Sequence, residues 1–157
     1  MDFRHLFTAF DGRINRGRFW LGVLILIAVG IVLSLVIVTP LAGVGPRAAA
    51  FGSFVIGLAM LYPALAVGVK RFHDRGKPGW LMAIVVAPGL ISQLGDVLGI
   101  TTTTHTFGDE VIAVPNTFGW ILIAISLGVA IWALVELGIR KGTDGPNEYG
   151  ADPLEKA

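Results

Sequence analysis

The chain contains no cysteine and few charges: Lys, Arg, Asp and Glu make up 15% of its 157 residues, against roughly a quarter in an ordinary soluble domain. The missing cysteine excludes disulfides, thiolate metal sites and thiol catalysis, and is compatible with any redox compartment. The scarcity of charge comes with 54% hydrophobic residues. A chain this short cannot bury that many apolar side chains in a water-surrounded core, because small domains keep a large share of their surface. The surplus needs an apolar solvent, and a bilayer supplies one. Also absent are a phosphate-cradling glycine loop, a Ser/His/Asp arrangement and any histidine pair at metal-ligand spacing. His5, His73 and His105 stand far apart. These gaps argue against an enzyme, and neither cofactor nor metal is expected.

Four apolar runs are present: 19–38, 48–69, 80–100 and 118–139. Each has about 20 residues, enough at about 1.5 Å per residue to cross a hydrocarbon core roughly 30 Å thick. Helices are the expected form, since unpaired backbone groups are too costly in lipid. No run alternates as a barrel strand would. The first run is too long for a signal-peptide core and lacks a small-residue cleavage site, so it is expected to remain as an anchor.

Charge placement gives direction. Arg4, Arg13, Arg16 and Arg18 precede the first span; Lys70, Arg71, Arg75 and Lys77 follow the second; Arg140, Lys141 and Lys156 follow the fourth. The other two loops hold only Arg47. Eleven of twelve basic residues therefore fall on one side, and the positive-inside rule makes that side cytoplasmic. With eight acids there, the inner side carries +3, and the outer side, with three acids, carries −2. The expected fold is an all-α membrane protein: a single domain over 1–157, a four-transmembrane-helix bundle with both termini cytoplasmic and a tail over 140–157.

Phe3, Leu6, Phe7 and Phe10 have the i, i+3, i+4, i+7 spacing of one helical face. This predicts a short amphipathic helix over about 2–10, capped by Asp2, ended by Asp11-Gly12, and lying in the inner headgroup region. Asn15 is a candidate cap for the first span. In the outer loop, Thr101–Phe107 and Val111–Val114 flank Gly108-Asp109, so this stretch forms either a small hairpin or an irregular loop.

Polar residues within the spans are candidates for chemistry. Asp96 falls near the outer interface; Glu136, at the inner end of the fourth span, stands four residues before Arg140 and so can pair with it. Gln93 is expected to join a helix–helix hydrogen bond. Pro63 and Pro88 would kink two neighbouring spans at similar depth, either for packing or to shape a vestibule. The pairs Ser53/Gly57, Ala64/Gly68, Gly95/Gly99 and Ala124/Gly128 permit close helix approach, within the chain or between copies. His105 with Asp109 or Glu110 is a weak metal candidate, and His73-Asp74 a weak acid–base pair.

Three segments bordering the inner side are distinctive. They are Phe10-Asp11-Gly12-Arg13-Ile14-Asn15-Arg16-Gly17-Arg18-Phe19-Trp20, Lys70-Arg71-Phe72-His73-Asp74-Arg75-Gly76-Lys77-Pro78-Gly79-Trp80, and Lys141-Gly142-Thr143-Asp144-Gly145-Pro146-Asn147-Glu148-Tyr149-Gly150-Ala151-Asp152-Pro153. Together they resemble the bacterial inner-membrane family called domain of unknown function 805, typified by YhaH-like proteins. The family patterns are GR-x-x-R-x-x-[FY]-W, K-R-x-H-D-x-G-x-x-G-W and N-x-Y-G-x-D-P, and they occur here in family order over nearly the whole chain. Members commonly carry an acid where this chain has Arg18, and small polar residues where it has Lys77-Pro78. The resemblance implies the architecture and a bacterial plasma-membrane location, and brings no established reaction.

The charge pattern puts all three segments on one face. Arg13, Arg16, Arg71 and Arg75 can there meet Asp74 and Asp152 in charge-assisted hydrogen bonds, with His73, Asn147 and Tyr149 in the same cap. Trp20 and Trp80 are the expected interface anchors. Such a cap either staples the bundle or binds an anion, from membrane lipid or from an acidic segment of a protein partner. Homo-oligomerisation is also open, and nucleic acid is not expected. The alternative is a small transporter or channel component, with Pro63 and Pro88 shaping a path and Asp96 near its outer mouth.

Overall fold

The computed structural model describes residues 2–108 and 110–155. Its elements are helices α1 (Phe3–Thr8), α2 (Arg16–Ala42), α3 (Pro46–Asp74) and α4 (Leu81–Leu98), strands β1 (Thr102–Phe107) and β2 (Glu110–Pro115), and helix α5 (Thr117–Ile139). Helices α2 to α5 are each long and apolar enough to cross a membrane. The protein is mostly helical, and the hairpin β1–β2 amends the all-α expectation.

Local chemistry sets most boundaries. Asp2 accepts from the His5 N–H at 3.1 Å and starts α1, while Asn15 accepts from Arg18 N–H at 2.9 Å and starts α2. Helix α1 ends at Thr8, earlier than Asp11-Gly12. Phe10 therefore lies beyond it, edge-on to Tyr62, and the predicted apolar face is incomplete. Helix α2 runs past Val38 to Ala42 through a π turn over Ser34–Val38. Pro40 can neither donate to the carbonyl four residues back nor tolerate its approach, and a widened turn before it relieves both problems. Pro63 and Pro88 lie inside unbroken helices.

The hairpin pairs Thr102 with Pro115 through Phe107 with Glu110, antiparallel. Its two-residue loop begins at Gly108, whose φ of 63° suits a tight turn. Asp109 lies outside the described residues, and the suggested metal group of His105 with it. Asn116 ties the hairpin base to the helices. Its amide donates to the Ile100 carbonyl at 2.9 Å while its oxygen caps α5 through Gly119 N–H.

Helix α3 packs between α2 and α4, α4 against α5, and the last turn of α5 returns to α2. Small residues permit close contact at three points, two of them between α3 and α4. A Cβ at Gly68 would fall 2.9 Å from Met82 Cγ, so α3 and α4 touch there almost backbone to side chain. Gly57 lies against Gln93, and Gly95 against Thr101. Ala124 and Gly128, by contrast, face outward with nothing near Gly128. Gln93 rests on α3, but its amide donates to Gly89 of its own helix at 3.4 Å, not across helices as expected. An amide in apolar surroundings takes the nearest carbonyl.

The packed core lies at one end of the bundle, where Leu6, Ile14, Phe19, Val67, Phe72, Met82, Ala133 and Leu137 meet. Along the spans large side chains such as Leu35, Leu58, Ile121 and Leu127 are exposed, which suits lipid as solvent. Gly68→Val should therefore overpack the α3–α4 contact and cost about 1–3 kcal/mol. We expect a lowered thermal midpoint in detergent for that variant, and little change for Gly128→Val. Equal midpoints would show that the close approach is not tight.

Candidate functional site

The three distinctive segments converge at the end of the bundle that holds the core. Gly76, with φ 63°, terminates α3, and Lys77 N–H returns to the Phe72 carbonyl at 2.9 Å. This turn leads directly into α4. The tail after α5 then folds across the helix ends, held by Thr143 N–H donating to the Asp74 carbonyl at 2.8 Å.

At the centre is Asp74, whose carboxylate is buried. Arg71, one helical turn earlier, donates to Oδ2; Arg13 donates from Nε to Oδ1 at 3.2 Å. Both guanidinium groups are buried as well. Arg13 spends its remaining donors on the tail: Nη1 on the Gly145 carbonyl at 2.7 Å and the Gly150 carbonyl at 3.2 Å, and Nη2 on that of Thr143 at 2.7 Å. Gly142 lets the tail come this close, since a Cβ there would fall 2.7 Å from Asp74 Cγ.

Arg71 also reaches the end of α5. Its Nε donates to Leu137 O at 2.7 Å and its Nη2 to Arg140 O at 2.6 Å. The neighbouring carbonyls are taken too. Trp20 Nε1 donates to Gly138 O at 3.2 Å, Arg16 to Ile139 O at 3.1 Å, and Arg75 to Lys141 O. Five consecutive carbonyls, 137 to 141, thus receive donors from other segments. A helix C-terminus presents such orphan acceptors and a partial negative charge, and cations answer both. A π turn over Leu134–Ile139 leads directly into this stretch.

The arginines do not all gather where expected. Arg75 meets Glu136 at 3.3 Å rather than Asp74 or Asp152, and Lys77 at 2.8 Å and Arg140 at 3.1 Å share that acid. Asp152 contacts no arginine: it accepts from Gly145 N–H at 3.1 Å and Leu154 N–H at 2.9 Å, closing the tail's turn. His73 points away from Asp74. Its ring stacks on Tyr149 with centroids 3.9 Å apart, and Nδ1 lies 3.3 Å from Gly12 O. Asn147 donates to His73 O at 3.0 Å and to Thr143 Oγ1 at 2.8 Å. Trp80 is largely exposed beside this end.

Sequence reasoning missed Lys70 as a site residue. It is fully buried, and its ammonium donates to the carbonyls of His5 and, at 2.8 Å, Leu6, at the end of α1. Gly142 and Thr143 were also missed, and only their place in the tail motif hinted at a role. The arrangement is a saturated polar lock: among the described residues no buried side-chain nitrogen or oxygen lacks a hydrogen-bond partner. Removing one partner of a buried pair costs roughly 3–5 kcal/mol because the other charge is left uncompensated. Asp74→Ala should thus lower the thermal midpoint sharply and expose residues 143–155 to limited proteolysis. Protection equal to the wild type would show that the tail is held by other means.

The chain is 27% identical over 154 residues to the uncharacterised protein YiiR of Escherichia coli strain K12, covering 97% of this chain and 90% of the relative. The same figures hold for YiiR of Escherichia coli O157:H7. No solved structure matches. The sequence profile described as "Protein of unknown function (DUF805)" matches residues 7–151, a stretch that holds the first two motifs whole and the third as far as Ala151. With its polar lock lying almost wholly inside that match, the chain belongs to the DUF805 family.

Proposed function

We propose that this is a non-enzymatic protein of the bacterial inner membrane, with both termini in the cytoplasm, whose basic cap holds anionic lipid headgroups at its rim. The observation that carries this reading is the division of labour among the cations. Arg13, Lys70 and Arg71 are buried and spend their donors within the chain. Arg4, Arg18 and Lys141 are exposed, and their side chains have no acceptor among the described residues. Arg16 is exposed as well, with one bond to Ile139 O. The buried set builds the cap, and the exposed set is left to face an anionic leaflet, where each basic residue contributes roughly 1 kcal/mol. Phe3, next to Arg4 in α1, and Phe10 beyond that helix are exposed and suit insertion at the acyl boundary. A protein partner with an acidic segment would use the same rim. The transporter reading needs a path, and the unbroken run of α3 and α4 through their prolines lends it no support.

Two measurements check the proposal. Because the chain has no cysteine, a single introduced thiol reports sidedness. In intact cells an impermeant reagent should label Thr104→Cys and spare Ala151→Cys; the reverse pattern would overturn the orientation. In nanodiscs containing phosphatidylglycerol, replacing Arg4, Arg16 and Arg18 together by Gln should reduce retention of that lipid on the order of tenfold to a hundredfold. Unchanged retention would rule out the rim as a lipid site.

A further inference from the structure

At the opposite end of the bundle a cavity of about 560 Å³ lies beneath the hairpin, within the size range of small-molecule sites. It is bounded by the first turn of α3, the last turn of α4, the start of α5 and the strands above. Arg47, Ser92, Asp96, Thr103 and Thr104 line it. Its frame is well tied. Thr101 is buried and donates its hydroxyl to Asp96, Asn116 N–H donates to Thr101 O at 2.9 Å, and Gly119 leaves room for that carbonyl.

Arg47 and Asp96 line this one cavity without pairing: no contact within 4.0 Å joins them. The guanidinium lies over Gly99, with an Nη atom 3.5 Å from where a Cβ would stand, and it has no acceptor among the described residues. The carboxylate is held on the α4 side by Thr101. Opposite charges held apart in one cleft favour a molecule that carries both. A simple anion would meet Arg47 but be opposed by Asp96, and a simple cation the reverse. A neutral polyol would use the hydroxyls and leave both charges unmet.

We infer that this cavity binds a small zwitterion bearing an anionic group and a primary ammonium, the anion on Arg47 and the ammonium on Asp96. Ser92 and the threonine hydroxyls supply neutral hydrogen bonds between them. This chemistry is shared by free amino acids and phosphoethanolamine, and by the phosphatidylethanolamine headgroup, which would lie at the depth of this cavity. The site is independent of the cap at the other end.

The full chain in phosphatidylcholine nanodiscs should be titrated calorimetrically with alanine and with O-phosphoethanolamine. Retention of phosphatidylethanolamine over phosphatidylcholine should be measured by native mass spectrometry. Saturable uptake of a soluble zwitterion identifies a solute site, and selective retention of phosphatidylethanolamine alone identifies a headgroup site. Either should weaken roughly tenfold or more in both Arg47→Gln and Asp96→Asn, which each remove a charge-assisted hydrogen bond. Ala50→Phe, which fills the cavity wall and keeps both charges, should also abolish it, with melting checked for every variant. If neither source engages the wild type, or if Asp96→Asn or Ala50→Phe binds as the wild type does, the inference is overturned.

Discussion

The Arg71 guanidinium reaches the Asp74 carboxylate on one side and the carbonyls at the end of α5 on the other. One planar group joins the end of α3, the end of α5 and, through Asp74 and Arg13, the tail. A lysine in its place would bring the charge but not the fork, since its three donors radiate from a single atom. The position is also electrostatically apt. Asp74 has two cations on it and Glu136 has three, so this end carries excess positive charge. The partial negative charge of five outward carbonyls offsets that excess. Positive charge concentrated at this end is therefore first a device for closing helix termini, and only the exposed remainder is left over from that task.

Burial makes the lock specific as well as strong. Each buried guanidinium would be costly without its acceptors, so a misplaced tail or a shifted helix leaves charge unmet. Trp20 acts in the same sense. A Cβ on Gly138 would fall 2.8 Å from the indole, and the indole N–H reaches that residue's carbonyl. Ring and glycine thus set the approach of α2 to α5 at one point. Beyond this end the helices are joined chiefly by glycine contacts and by the tied base of the hairpin.

What could be read in advance follows from the range of the forces involved. The four spans and the caps Asp2 and Asn15 are local matters of hydropathy and hydrogen bonding, and they are legible one segment at a time; the hairpin at Gly108 was only one of two readings the loop allowed. The Glu136–Arg140 pair was legible for the same reason, being one helical turn apart. Which arginine meets which acid was not. Asp74 and Asp152 look alike in the chain, yet one faces two buried guanidinium groups and the other closes a turn on backbone amides. His73 and Asp74 suggest a pair because they are adjacent. Neighbours on a helix point about 100° apart, however, and here the ring goes to Tyr149 and the acid to Arg13 and Arg71. Lys70 was hidden because its acceptors are carbonyls, and a carbonyl acceptor leaves no mark in a sequence.

The two ends of the molecule differ in how completely their charges are answered, and that difference separates structure from function. At the capped end each buried ion has partners from a segment other than its own, so mutation there acts on stability before anything else. At the hairpin end Arg47 and Asp96 are held by separate elements, and no direct bond joins them. Nothing in the helix packing requires an arginine without an acceptor among the described residues at the start of α3, where Pro46 alone would begin the helix. A charge whose removal would cost the fold little, set beside a cavity, is where selection for recognition rather than stability is best sought.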